Sequence, residues 1–573
     1  MTPSKRSKGE RRLIVTALIL VLAFTELAGV VSRESIVFIE IAVAGQPSNS
    51  LLSALDSQMV FREIYIRADG SIEDLAANFE PHQTTIQRDG DVYTFEGDIH
   101  GCIIIEASNI VLNGGGYALQ ARGKSRGKPA VQISNRENVT LTNLQTVGFE
   151  QGVELAGSNN IVSEVIIKGC TVDYSGALYI TGFNNTVTGS SIIANEGYGL
   201  YMEYADHTLL SDNIIADNGQ EGIYFLMNCT NTVLRRNVLN NNFGGAFKNL
   251  ERSVPSSSDD IDSSNLVDGR SVCYWFNERD RMVPSDAGYV FLDHCTNITV
   301  RDLSIPDDSG GGMHNSNGIY LYSTTDSLIT NNYLSKGAGI RINGGSYNVS
   351  VTWNNVSCGI FLGTSGTVSN VSIIENCLVN TGISLGDDVY RGGLADVNVV
   401  GNSISECATA VALSGCNASS FSGNNITGCN IGVYIFYSHN NVFFHNNFIN
   451  NTKNVLEEHY NPHPITIADL YPVYSVNNTW DVGAYSGGNY WSDYGGSDGD
   501  GDGIGDSYYS VCENMTDHHP LMKPFNGSDF SQHEGPASSA TLFRAYVISA
   551  VIATVVCAVL VVYYTKSRKR RAT

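Results

Sequence analysis

The residues with the most demanding spacing lie in GGNYWSDYGGSDGDGDGIGD, at 487–506. Asp498, Asp500 and Asp502 alternate, Gly503 follows, and Asp506 comes four after Asp502. These are positions 1, 3, 5, 6 and 9 of a calcium loop, with the carbonyl of Ile504 at position 7. Position 12 is Tyr509 rather than a bidentate Glu, so the pattern reads as Ca2+ chemistry without being an EF-hand. The plain alternative is a solvated acidic turn. Carboxylates that could serve a polysaccharide hydrolase or lyase are Asp387 and Asp388 in a GDD triplet, and Glu203, Asp206 and Glu221 on adjacent repeats. An inverting hydrolase needs two carboxyls about 6.5–9.5 Å apart. Copper wants clustered His, Met or Cys, and the groupings on offer are His439 with His445, His459 with His463, and His518 with His519. Cys407 and Cys429 stand 22 residues apart, each three before an apolar cassette, so they should stack as a disulfide or a buried thiol pair.

What positions these residues is a repeat. A glycine opening a small apolar cassette, G-φ-x-φ, occurs at Gly152, Gly176, Gly199, Gly222 and Gly244, in steps of 24, 23, 23 and 22. It resumes at Gly288, Gly318, Gly339, Gly359 and Gly382 and ends at Ala410 and Gly432. An asparagine ladder runs out of phase through Asn213, Asn237, Asn332, Asn355, Asn376, Asn402, Asn425 and Asn447. A unit of about 22 residues is too short for helical-hairpin repeats. Val, Ile, Thr, Tyr and Phe alternating with Asn, Ser and Gly is strand and turn chemistry. Three short strands and three turns per coil, stacked in parallel, predict an all-β fold, a right-handed parallel β-helix. Ile223, Phe225, Ile319, Leu321, Ile360, Leu362, Val433 and Ile435 should face inward, with Tyr224 and Tyr320 outward. Tyr198, Tyr201, Tyr204, Tyr224, Tyr320, Tyr322, Tyr434 and Tyr437 recur near the cassettes and offer a face for carbohydrate, unless half of them pack inside.

The expected organisation is a signal peptide or N-terminal anchor (1–45), an N-terminal cap (46–100), β-helix coils (101–250), an insertion (251–287), further coils (288–455), a C-terminal module with the Asp-rich loop (456–527), a stalk (528–545), a transmembrane helix (546–564) and a basic tail (565–573). NLVDGRSVCYWFN, at 265–277, places strand letters around an Asp-Gly turn and reads as a hairpin leaving the stack sideways. Residues 547–564 are an uncharged apolar run of 18, long enough for a bilayer core, and the basic residues after it belong in the cytoplasm. The rest then faces outside, and its acidity, within a net charge of −23, speaks against nucleic acid as a partner. The remaining partners are the membrane, glycans and envelope proteins. Sequons at Asn138, Asn184, Asn228, Asn297, Asn348, Asn355, Asn370, Asn417, Asn425, Asn450, Asn477, Asn514 and Asn526 are glycosylation candidates in that topology.

IYIRADGSI (64–72), IQRDGDVYTF (86–95), NIVLNGGGYALQ (109–120), the NLVDGRSVCYW insert and the terminal GGNYWSDY…DGDGIGD…HPLMKPF resemble the NosD-like right-handed parallel β-helix proteins. Exported, membrane-anchored members of that family abound in archaea. The resemblance covers roughly residues 60–525. It implies the β-helix fold and a relation to carbohydrate-binding and sugar-hydrolase β-helices. The name-giving member implies copper delivery in the periplasm. Together these give a non-catalytic carbohydrate- or envelope-binding surface protein as the expected function, with a polysaccharide hydrolase or lyase, and then copper handling, as alternatives.

Overall fold

The computed structural model describes residues 62–526 apart from 76–84, 122–126, 172–175, 249–258, 306–316, 336, 364–365, 387–393 and 459–474. The segments expected to be a leader, stalk, membrane span and basic tail lie outside the described residues, as do Asp387, Asp388, His459 and His463. Among the described residues the regular elements are strands, and no helix is long and apolar enough to cross a membrane. The chain divides into two compact units near residue 369. Each is a stack of parallel strands, wound right-handed.

In the coils up to residue 248 one strand carries the cassette and two short ones follow it. Cassette strands such as Gln151–Ser158, Leu178–Phe183, Leu200–Asp206 and the shorter Ile223–Phe225 pair in parallel, cassette on cassette. The short strands stack likewise on two further faces, Ile161–Ser163 on Thr186–Thr188 and Ile166–Lys168 on Ser191–Ile193. These short strands turn their middle residue inward, as Val162, Val187, Ile167 and Ile192 do. Each cassette turns two inward, and the eight positions assigned to the core of the two units are all buried, with Tyr224 and Tyr320 outward and half-buried. Burying such a side chain contributes about 1.5–3 kcal/mol, which is how a coil without helices coheres. At Gly182, where φ is +107°, a Cβ would sit 2.0 Å from the Gly157 carbonyl oxygen, so only glycine lets the coils approach.

The asparagine ladder exists, with a correction of one residue. Asn213 donates its side-chain amide to Asn237 Oδ1 (2.9 Å), and Asn237 to Asn265 Oδ1 (2.9 Å). Asn332 donates to Asn354 (2.8 Å), not to Asn355. In the second unit the ladder runs Asn376, Asn402, Asn424, Asn446 and Asn489. Asn354, Asn424 and Asn446 are the rungs. Asn355 and Asn425 are exposed, and Asn447 instead holds the backbone of Phe525. In an Asn-Asn pair the two side chains point to opposite faces, and only the inward one can join the ladder.

The lateral excursion expected at 251–287 does not occur among residues 259–287. Asp260–Ile261 and Leu266–Val267 continue the stack in parallel on Val233–Arg235 and Val238–Asn240. The hairpin is real, turning at Asp268–Gly269, but its second arm, Arg270–Phe276, lies antiparallel on Leu266–Val267 inside the same sheet. Ala287–Asp293 then pairs in parallel with that arm. Val272, Tyr274, Tyr289 and Phe291 belong to the core of the preceding coils. Val290 and Leu292 point the other way, in register with Ile319 and Leu321 and through them Ile340 and Ile342. The core therefore changes sides at this sheet. Reversing strand direction around the same core would turn a right-handed winding left-handed; moving the core to the opposite face restores the hand.

The second unit closes its own end. Trp480 stacks on Phe443 (4.2 Å between centroids) and Trp491 on Phe448 (4.3 Å). The buried Asp517 accepts from the Asn489 backbone N–H (2.7 Å) and from Trp491 Nε1 (2.9 Å), which fastens the last ladder rung. Burial pushes this carboxyl up against those hydrogen bonds.

Candidate functional site

Because parallel coils repeat in register, outward residues form straight columns. On the long-strand face of the first unit one column reads Gln132, Glu154, Tyr179, Tyr201, Tyr224, Lys248. Neighbouring strands are about 4.8 Å apart, so three tyrosines and a lysine follow one another over about 15 Å. Tyr198 joins from the preceding turn. Its ring centroid is 5.9 Å from that of Tyr201 and 4.8 Å from that of Tyr224, and Tyr201 meets Tyr224 edge-on at 5.0 Å. Lys248 Nζ donates to the Tyr198 hydroxyl (3.0 Å) and lies 5.2–5.3 Å from the centres of the Tyr198 and Tyr224 rings. Lys248 was not legible beforehand, since it stands at the end of the first run of cassettes.

The carboxylates singled out by sequence fall around this column but do not converge. Glu203 accepts from the Tyr179 hydroxyl at 3.0 Å. Glu221 is buried and sits 3.5 Å from Lys248 Nζ. Asp206 faces elsewhere and is held by Thr230 (2.5 Å), Asn231 (2.9 Å) and His207 (2.9 Å). Tyr179 is pushed up to about 12 by burial and by the Glu203 carboxylate. Burial works against the Lys248 charge, but the Tyr198 hydroxyl and Glu221 outweigh it and hold the ammonium above its ordinary range. General acid–base catalysis near neutral pH needs groups poised close to the working pH, and these two have moved away from it. Of the other tyrosines, Tyr204 is exposed with its hydroxyl on Met227 (3.6 Å), and Tyr437 packs edge-on against His439.

In the acidic loop the oxygens of Asp498, Asp500 and Asp502 lie within 4.8 Å of one another. Asp506 stands outside that trio, with its carboxylate accepting from Gly499 N–H (2.8 Å). Cys407 and Cys429 stack as expected, both buried with sulfurs 2.9 Å apart. The shared proton draws Cys429 down to about 7 and pushes Cys407 up. Eleven of the thirteen sequon asparagines are exposed, and Asn370 and Asn417 are half-buried. The histidines are engaged structurally: His439 Nδ1 accepts from Val476 N–H (3.0 Å), His445 Nε2 meets the Ser486 carbonyl (2.5 Å), and His519 pairs with Asp481 (3.0 Å).

Residues 290–496 match the family model described as periplasmic copper-binding protein (NosD), and residues 97–260 match that of the right handed beta helix region. The gap between the two matches, 261–289, contains the Asp268–Gly269 reversal. No curated protein sequence matches the chain. Similar solved structures include the A-module of a mannuronan C-5 epimerase from Azotobacter vinelandii, 14% identical over 65% of this chain and 86% of that one, with a TM-score of 0.22. Another is PfbA, a surface adhesin of Streptococcus pneumoniae, 11% identical over 59% of this chain and 85% of that one, with a TM-score of 0.23. Likenesses this distant carry no argument about activity. Among the described residues, the one group of three or more ligating side chains brought together is the aspartate trio, which is hard-cation chemistry.

Proposed function

We propose, on the premise that this is a NosD-like parallel β-helix protein, that its outward-facing part is a non-catalytic glycan-binding module, anchored in the membrane by residues 546–564 and glycosylated at exposed sequons. The observation that carries this reading is the column Tyr179, Tyr201, Tyr224, Lys248 with Tyr198 beside it. Tyrosines offer flat apolar faces with hydroxyl handles at low entropic cost. Glu154, Glu203 and Glu221 around one ammonium leave the surface net acidic, which repels uronates and suits a neutral, hydroxyl-rich polysaccharide, whether free or carried by an envelope protein. Nothing in the arrangement favours hydrolysis, because the described carboxylates are each held by separate partners. Titrating the purified protein with neutral and with uronate-rich polysaccharides tests the reading. Tyr201→Ala is expected to weaken neutral-glycan binding 10- to 30-fold, about 1.4–2 kcal/mol, with no reducing ends released by either protein. Unchanged affinity in the variant, or steady release of reducing sugar, would reject it.

The same proposal gives Asp498, Asp500, Asp502 and the Ile504 carbonyl to one Ca2+, with Asp506 bracing the loop from outside. With few charged ligands and no bidentate Glu, affinity is expected at roughly 10⁻⁴–10⁻³ M. Millimolar calcium would then add about 0.4–1.4 kcal/mol to stability. Calorimetry on the wild type against Asp500→Ala with Asp502→Ala decides the point. Equal calcium uptake in both, or none in either, removes the site.

A further inference from the structure

The turn before each cassette carries a second ladder. In the first unit its rungs are Asn195, Asn218 and Asn242, each following a left-handed residue (φ 53° at Ala194, 56° at Asp217, 49° at Asn241). Asn195 donates its amide to Asn218 Oδ1 (2.9 Å) and Asn218 to Asn242 Oδ1 (2.8 Å). Each of those oxygens also accepts the backbone N–H of the rung before it. In the second unit the same turn position follows Glu406 (φ 57°), Gly428 (φ 66°) and Asn450 (φ 52°), and it holds Cys407, Cys429 and Asn451. Asn451 acts as a rung, accepting the Cys429 N–H at 2.9 Å and donating to Ile426 O at 3.1 Å. Two thiols therefore stand where the first unit has carboxamides. A thiol is a weak donor and a weak acceptor, so as thiols they hold the coils less well than the asparagines of the first unit.

Their geometry suits a covalent rung instead. Ser405 pairs with Thr427 and Thr409 with Ile431, so Cys407 lies in register with Cys429 on the next coil. Neighbouring parallel strands are about 4.8 Å apart, inside the range of about 4.4–6.8 Å that disulfide-bonded Cα atoms span. The sulfurs are 2.9 Å apart, with Cys407 6% and Cys429 1% exposed. The backbone on either side is already tied, Glu406 N–H to Thr427 O (3.1 Å) and Asn430 N–H to Cys407 O (2.9 Å), so bonding asks for side-chain rotation alone. Cys416, nearby in sequence, is engaged elsewhere, on Ser419 Oγ (3.3 Å). We infer that Cys407 and Cys429 are an oxidation site, joined in the mature protein by a disulfide that sets one covalent rung in place of two amide rungs. The oxidant is a small-molecule or protein disulfide. One cysteine thiolate opens its S–S bond to form a mixed disulfide, the second displaces the remaining thiol, and the oxidant leaves as two thiols carrying the two protons. Burial of both sulfurs closes access once the coils have stacked, so the bond forms during assembly and resists reductant afterwards. For its oxidising surroundings the inference rests on the outward placement proposed above.

The full-length protein, isolated from its host without reductant, is unfolded in urea with iodoacetamide, then reduced and labelled with N-ethylmaleimide, and mass spectrometry reads the label on each cysteine. Cys407 and Cys429 are expected to carry the maleimide and Cys416 the iodoacetamide. In Cys407→Ser, Cys429 should change to iodoacetamide. Iodoacetamide on both in the wild type, or maleimide on Cys429 in the variant, overturns the inference. Dithiothreitol should leave about nine-tenths of the bond intact in the native protein and remove it in urea; equal loss in both overturns the buried rung. Cys407→Ser with Cys429→Ser should melt about 6–12 °C below the oxidised protein. Cys407→Asn with Cys429→Asn should recover part of that loss by extending the amide ladder from Asn451. A serine variant that melts with the oxidised protein, or an asparagine variant no better than the serine one, counts against the rung. Protease treatment of whole cells reads the outward placement separately. A bonded pair in a protein that protease cannot reach rejects the placement and keeps the bond; free thiols in a protein that it digests reject the bond and keep the placement.

Discussion

Asn237→Ala is expected to destabilise the first unit by about 2–4 kcal/mol, although the residue touches no solvent and binds nothing. Asn237 Oδ1 accepts from both the backbone N–H (3.1 Å) and the side-chain amide (2.9 Å) of Asn213. Its own amide donates to Leu210 O (2.8 Å) and to Asn265 Oδ1 (2.9 Å). Alanine leaves the donors of Asn213 without their side-chain acceptor and removes the donor to Leu210 O, while Asn265 Oδ1 keeps only the backbone N–H of residue 237 (3.1 Å), at about 1–3 kcal/mol for each group that water cannot reach. The next coils supply no substitute, since each rung already serves the rung below. Asn355→Ala, at an exposed position of the same ladder region, should change stability by less than about 0.5 kcal/mol. Urea unfolding of the two variants checks both numbers. If they cost the same, the ladder contributes nothing that a surface asparagine does not.

That comparison also marks where the sequence could be read and where it could not. The period of the cassettes identifies the coil, and alternation within G-φ-x-φ identifies the inward side chains, because both follow from backbone geometry alone. The ladder is visible for the same reason, yet Asn355, Asn425 and Asn447 are misplaced by one, since an Asn-Asn pair supplies two candidates and period does not choose between them. The hairpin at Asp268–Gly269 is signalled by its letters. Its place inside the sheet is not, although AGYVFLD at Ala287–Asp293 carried the signal: a run apolar on both faces belongs to a strand covered on both sides. Glu203, Asp206 and Glu221 fall on adjacent coils as expected, but spacing fixes only the column and not the direction a side chain leaves it.

Phe291→Ala is expected to destabilise the first unit by about 3–5 kcal/mol. Phe291 is 1% exposed and stacks on Tyr274 at 5.2 Å with rings 7° from parallel. It reaches into the core of the coils that precede the reversal, while its neighbours Val290 and Leu292 reach into the core that follows. The strand is thus the one wall both cores share, and a void behind Phe291 opens the end of the first stack. Leu292→Ala removes a comparable apolar side chain from the other face and should cost about 2–5 kcal/mol. Residues on opposite faces of one strand share its backbone, so the double variant should deviate from additivity by about 0.5–3 kcal/mol. Hydrogen exchange separates the two effects. With Phe291→Ala, amides of the strands Leu200–Asp206, Ile223–Phe225 and Val238–Asn240 should lose protection; with Leu292→Ala, those of Asn317–Tyr322 and Ala338–Asn343 should. If both truncations unprotect the same strands equally, the cores are continuous through the sheet and the change of sides at Asp268–Gly269 is refuted.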